Sequence, residues 1–216
     1  MKYQTVLFDF DYTLGDSTEP IVFANTAALK DMGWPAPERE AVRRTIGYTL
    51  EDGYTILTGD RDETRRGDFF RRFRAYAAPV MARDTVLFPG AAELLDWLRE
   101  GGISAGIVST KNSDVLEEIF LLQGLRDRLE LIIGGRDVSR PKPDPEGLNL
   151  AVARLNADKS TVLFCGDTVI DAETARRAEV DFCAVLNGTT PREDFGAYPH
   201  VYIASSLTGL LDWLKQ

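Results

Sequence analysis

Histidine is nearly absent from this 216-residue chain, which carries only His200, and cysteine is scarce, with two residues. One histidine excludes a histidine-based metal site and a Ser–His–Asp triad, and near a terminal turn it reads as a surface residue. Cys165 and Cys183 both sit in apolar, strand-like runs, so they read as buried free thiols of a reducing compartment rather than a disulfide framework. Positive charge is short as well: 25 lysines and arginines face 34 acids, for a net charge of −9. That balance argues against nucleic acid or an anionic membrane surface as a partner, but a locally positive site for a small anion remains open. Long apolar runs are missing. No stretch approaches the ~18 residues of a spanning helix, and "MKYQTVLFDFD" meets an aspartate too early for a leader's apolar region. A cytoplasmic protein without a membrane partner is the expectation. Neither GxGxxG nor GxxxxGK[ST] occurs, which removes the common nucleotide cradles. There is no internal repeat and no low-complexity segment.

What the chain does contain is a set of short, near-continuous apolar runs: Thr5–Phe8, Ile103–Val108, Leu131–Ile133, Thr161–Cys165 and Phe182–Leu186. Such runs suit strands covered on both faces in a parallel sheet. Between them lie helical patterns over Ala91–Glu100, Ser113–Leu122, Glu146–Leu155 and Ala172–Ala178, several stopped by glycine. The alternation predicts an α/β fold, a Rossmann-like doubly wound parallel sheet.

Residues 16–84 break the pattern. They carry no good strand and read as consecutive helices: Ile21–Met32 ended by Gly33, a helix capped by Thr49 running to Leu57, and Asp62–Ala77. Phe69, Phe70, Phe73 and Tyr76 recur at helical spacing on the last, as a helix–helix core requires. The expected organisation is therefore a core of residues 1–15 and 85–216 with an all-helical insert of residues 16–84 after the first strand. The insert looks basic until its acids are counted. Its ten arginines and one lysine face twelve acids, so most of these charges are expected on solvated helix faces.

Ligands in open α/β sheets bind beyond the carboxyl ends of the strands. The stretch "VLFDFDYTLGDS" ends the first strand in Asp9 and Asp11, two like charges that repel unless a cation lies between them. The run Ile103–Val108 ends in Ser109 and Thr110. Thr161–Cys165 ends in Gly166 and Asp167, with Asp171 four residues on. The loop after Leu131–Ile133 leads to "RPKPDP", holding Lys142 between prolines. Carboxylates, a hydroxyl and an ammonium would converge on one edge. Hard oxygen ligands without histidine suit Mg²⁺, which commonly shares its shell with phosphate. The chemistry this implies is phosphoryl transfer with a carboxylate as nucleophile.

In their order, "DFDYTLGDS", "GIVSTKN", "RPKPDP" and "CGDTVID" resemble the four motifs of the haloacid dehalogenase superfamily, in its phosphoglycolate phosphatase and β-phosphoglucomutase-like branch. The likeness spans essentially the whole chain, and the helical insert falls where that branch carries its cap. The resemblance implies that Asp9 attacks phosphorus and forms an aspartyl phosphate. Asp11 would protonate the leaving oxygen and then activate water. Ser109 and Lys142 would bind the transferring phosphoryl group, with Thr110 beside them. Asp9, the backbone carbonyl of Asp11 and Asp167 would ligate Mg²⁺, Asp171 would support them, and Thr13 would hold the nucleophile loop. The segment "RRTIGYTLED" resembles the branch's substrate-facing loop, which makes Arg43, Arg44, Gly47 and Tyr48 candidate contacts. Tyr12 departs from the pattern, since most members have glycine there. It must take an ordinary backbone conformation or carry strain, and it could narrow the entrance to the site.

The resemblance thus implies an Mg²⁺-dependent phosphatase acting on a small phosphorylated metabolite such as phosphoglycolate or a sugar phosphate. A sugar-phosphate mutase shares every motif. A phospho-accepting receiver-like module shares the acids, hydroxyl and lysine but is shorter and lacks the insert. A phosphonate-cleaving relative would need a cap lysine, and Lys30 is the only one in the insert.

Overall fold

The computed structural model describes residues 2–216, which divide into two compact units, residues 2–16 with 87–216 and residues 17–86. The larger unit is built on six parallel strands. They are β1 (Thr5–Phe8), β4 (Ser104–Val108), β5 (Leu131–Ile133), β6 (Val162–Gly166), β7 (Asp181–Val185) and β8 (Tyr202–Ala204), in the order β5-β4-β1-β6-β7-β8. Two-residue strands β2 (Gly15–Asp16) and β3 (Val86–Leu87) stand where the chain leaves this unit and returns. The doubly wound sheet expected from the apolar runs is present.

β1 suits the centre because three of its four side chains are apolar and all four are buried. Val6, Leu7 and Phe8 are fully buried. In-register pairing sets Phe8 beside Ile107 on one side and Cys165 on the other. The first strand's carboxyl end is thereby aligned with the ends of β4 and β6, which brings the motif loops to one edge.

Helices α6 (Ala91–Glu100), α7 (Ser113–Leu122), α8 (Glu146–Arg154) and α9 (Val169–Ala178) agree with the predicted positions to within a few residues. The start of α9 is three residues earlier than its apolar pattern indicated. Thr168 and Asp171 form a reciprocal capping box that fixes the first turn there. The edge strand β8 and the terminal helix α10 (Leu207–Leu214) were not read from the sequence. Two of the three β8 side chains are only half buried, so the strand lacks the continuous apolar run that marks its neighbours.

Cys165 and Cys183 are buried free thiols, opposite one another across β6 and β7. Burial pushes the Cys165 thiol upward, away from reactivity. His200 is exposed, as expected.

The smaller unit is all-helical: α1 (Thr18–Asp31), α2 (Arg39–Arg43), α3 (Leu50–Thr58), α4 (Glu63–Ala77) and α5 (Met81–Asp84). Thr49 caps α3 by accepting from the Asp52 amide, and Gly59 ends it in the left-handed region. Phe69 and Phe73 are buried, with Phe69 5.1 Å from the ring of Tyr54, so the aromatic stripe is this unit's core. The short helices α2 and α5 were not predicted; at five and four residues they are too brief to show a period. No helix among the described residues is long and apolar enough to cross a membrane.

Candidate active site

The loop after β1 is wound tightly by its own backbone. The amide of Asp9 donates to the Cys165 carbonyl at 2.9 Å, continuing the β1–β6 ladder one residue past the strand. The amides of Thr13, Leu14 and Gly15 all converge on the carbonyl of Phe10. Tyr12 takes the strained alternative, with φ at 57° in the left-handed region. Placing a bulky residue there costs about 1–2 kcal/mol. Tyr12 is buried, and its Cβ lies against Gly188, a neighbour in space that the first strand's sequence could not indicate.

Asp9, Asp11, Thr13, Ser109, Asp167 and Asp171 are all buried, as is the side chain of Lys142. The lysine's ammonium stands 2.5 Å from Asp171 Oδ1 and 3.0 Å from Asp9 Oδ1. Asp171 Oδ2 is occupied by its capping box, accepting from the Thr168 amide at 3.1 Å and hydroxyl at 2.6 Å. Both Asp171 oxygens are therefore engaged, and this residue anchors Lys142 beside the loop that follows β1. Gly166 allows the approach, since a Cβ there would lie 2.4 Å from the Asp171 Cβ.

Three carboxylates, Asp9, Asp167 and Asp171, each offer an oxygen within 4.8 Å of the others. Burial pushes the Asp9 carboxyl up to about 6 against the pull of Lys142, while the charge of Asp171 pushes it up and a hydrogen bond from Ser109 draws it down. Asp167 is pushed well above the usual carboxylate range, by burial first and then by the charges of Asp171 and Asp9. Burial alone would lower Lys142; the charges of Asp171 and Asp9 outweigh it and hold the ammonium protonated. Asp9 Oδ1 is buried and faces the Lys142 ammonium, so three clustered carboxylates surround a single lysine. A buried, oxygen-only cluster with more negative than positive charge fits a hard divalent cation.

The Asp11 carboxylate does not join that cluster. Its Oδ2 is 3.0 Å from Lys111 Nζ, with both side chains 8% exposed. Lys111 was not singled out in the sequence; a lysine at the start of a loop ordinarily reads as solvated. Asn187 and Gly188, just after β7, were also missed. Asn187 donates to the Thr13 carbonyl at 3.1 Å. A Cβ on Gly188 would fall 1.9 Å from Asp167 Oδ2, so only glycine lets this loop close on the cluster. Thr13 donates weakly to Asp167 Oδ1 at 3.5 Å. The Thr110 carbonyl packs against Gly135.

Arg43, Gly47 and Tyr48 belong to the smaller unit. Arg43 ends α2 and pairs with Glu40 at 3.0 Å. Gly47 has φ at 100° in the turn before α3, and Tyr48 is exposed.

Residues 6–185 match the family model described as haloacid dehalogenase-like hydrolase. The chain belongs to that family. It is 34% identical over 199 residues to an N-acetylmuramic acid 6-phosphate phosphatase of Pseudomonas putida, a match covering 90% of this chain and 87% of that one. It is 26% identical over 220 residues to a phosphoglycolate phosphatase of Colwellia psychrerythraea, covering 99% and 97%. A crystal structure of a haloacid dehalogenase-like hydrolase from Bacteroides fragilis superposes with a TM-score of 0.93 at 40% identity, covering 96% of this chain and 99% of that one.

Proposed function

We propose that this hydrolase is an Mg²⁺-dependent phosphatase that cleaves a small phosphorylated metabolite through a phosphoryl group carried on Asp9. The observation that carries the reading is Asp9 itself. It is a buried carboxylate held beside a buried lysine and two further acids. Asp9 attacks phosphorus as the bond to the leaving oxygen breaks, and Asp11 gives that oxygen a proton. Water then attacks phosphorus, Asp11 takes its proton, and the bond to Asp9 breaks to release phosphate. Lys142 and Ser109 hold the phosphoryl oxygens, with Thr110 beside them, and Lys142 restrains Asp9. Asp9, Asp167 and the backbone carbonyl of Asp11 would hold the Mg²⁺, with Asp171 at the edge. The ion would neutralise the clustered carboxylates and the phosphoryl oxygens.

Residues 16–84 act in this reading as a cap that selects the substrate, and Arg43, Gly47 and Tyr48 are its proposed contacts. The names of the relatives support phosphate esters of small metabolites, with phosphoglycolate and sugar phosphates as the first compounds to try. Asp9→Asn should abolish Mg²⁺-dependent hydrolysis of p-nitrophenyl phosphate, a fall of at least about 10⁴-fold, while leaving the fold intact. Retained turnover would move the nucleophile elsewhere.

A further inference from the structure

The buried ion pair of Lys111 and Asp11 has no part in the scheme above, yet it holds the residue that must move the proton. We propose that Lys111 is a positioning residue that fixes which oxygen of Asp11 carries that proton. The inference rests on the phosphatase reading.

The two oxygens of Asp11 are not equivalent. Lys111 Nζ is 3.0 Å from Oδ2, whereas Oδ1 is buried and has no hydrogen-bond partner among the described residues. A buried acceptor without a protein partner is open to a water, an ion or a reacting group. A carboxyl group can accept from an ammonium at one oxygen whether or not the other bears a proton. With Oδ2 occupied, Oδ1 is left to give its proton to the leaving oxygen as phosphorus transfers to Asp9. The same Oδ1 then receives a proton from the attacking water as the bond to Asp9 breaks. Lys111 neither gains nor loses a proton in either step.

The lysine is itself held. Its backbone amide donates to Ser109 Oγ at 3.3 Å, and its ammonium lies 5.9 Å from the centre of the Phe10 ring. That ring is fully buried between Asp9 and Asp11 in sequence and packs edge-on against Phe120 of α7 at 5.7 Å. Phe10 also fills the space over Gly15, where a Cβ would come within 2.5 Å of it. Phe10 thus gives a fixed surface against which Lys111 can set Asp11, and a rigid support of this kind is what proton transfer over a short distance needs.

The test compares two esters in the full chain with Mg²⁺. Phenyl phosphate needs a proton on its leaving oxygen far more than p-nitrophenyl phosphate does, because the nitro group stabilises the departing phenolate. Lys111→Met should lower kcat for phenyl phosphate at least about tenfold more than kcat for p-nitrophenyl phosphate, with KM little changed, since general acid catalysis supplies about 10²–10⁴-fold. In an Asp11→Asn background the same substitution should leave the ratio between esters unaltered. Lys111→Arg should recover part of the loss, and Lys111→Gln gives the same comparison if the methionine variant does not fold. An equal fall on both esters, a change confined to KM, or a ratio that still shifts without Asp11 would overturn the inference and leave the phosphatase reading standing. A wild-type protein that hydrolyses neither ester overturns both.

Discussion

Both units of this chain carry solvent-exposed ion pairs, but among the described residues only the α/β unit also buries some. In the helical unit, ion pairs lie in solvent: Arg44 and Glu40 meet at 3.4 Å with 74% and 53% of their side chains exposed. In the α/β unit, Lys142 meets Asp171 and Asp9 with 6%, 0% and 2% exposed. Exposed pairs are screened by water and contribute about 0–1 kcal/mol. Buried ions keep their mutual attraction undiminished but lose hydration, so each depends on the others remaining in place. The difference teaches that a chain rich in surface charge can still gather buried charge in one place, and that is where the proposed chemistry lies.

The largest effect expected from breaking this contrast is at Lys142. Lys142→Met leaves Asp9 and Asp171 buried without their shared cation, and should destabilise the protein by about 3–5 kcal/mol as well as abolish turnover. Denaturant unfolding measures the first and phosphate release the second; a loss of under about 1 kcal/mol would mean the buried network is no more cooperative than a surface pair.

Asp167 sharpens the comparison in the other direction. Its carboxyl is raised by burial and by Asp171 and Asp9, so the folded state binds its proton more tightly than the unfolded state does. The same holds for Asp9, raised from 3.8 to about 6. Stability from these groups is fully present in acid and is lost as pH rises from the ordinary carboxylate range through the folded values. In the presence of EDTA, Asp167→Asn should therefore be more stable than wild type at pH 7, by roughly 2–4 °C in Tm for each kcal/mol recovered, though inactive. The gain should shrink towards pH 4, and thermal unfolding across pH checks it. A variant less stable than wild type at pH 7 would show that Asp167 is not under strain.

The smallest effect is reserved for the exposed pair. Arg44→Ala should change stability by less than about 0.5 kcal/mol, and a larger loss would mean the helical unit's surface charges are not mere solvation.

The same contrast explains how much the sequence could reveal. The sheet was legible because strands covered on both faces must be apolar without interruption, as Val6–Phe8 and Val162–Cys165 are. Asp9, Asp11, Ser109 and Asp167 were legible because each lies within three residues of where such a run stops, Asp171 because it follows Asp167 by four residues, and Lys142 because it lies in the loop beyond a run. Edge strand β8 was not, since its half-buried residues carry little apolar signal. Lys111 and Gly188 were hidden for another reason. Their importance comes from partners distant in sequence, Lys111 from Asp11 and Gly188 from Asp167, and only the fold brings those pairs together. Tyr12 was flagged as a departure, but whether it would accept strain depended on the loop converging on Phe10.

The central claim is that Asp9 carries the phosphoryl group. Reacting the protein with p-nitrophenyl phosphate and Mg²⁺, quenching in acid and mapping the modified peptide by mass spectrometry tests it most directly. A phosphoryl group on Asp9, absent in Asp9→Asn, is the predicted result. Active enzyme with the label on another residue, or with none at any quench time, would contradict the account.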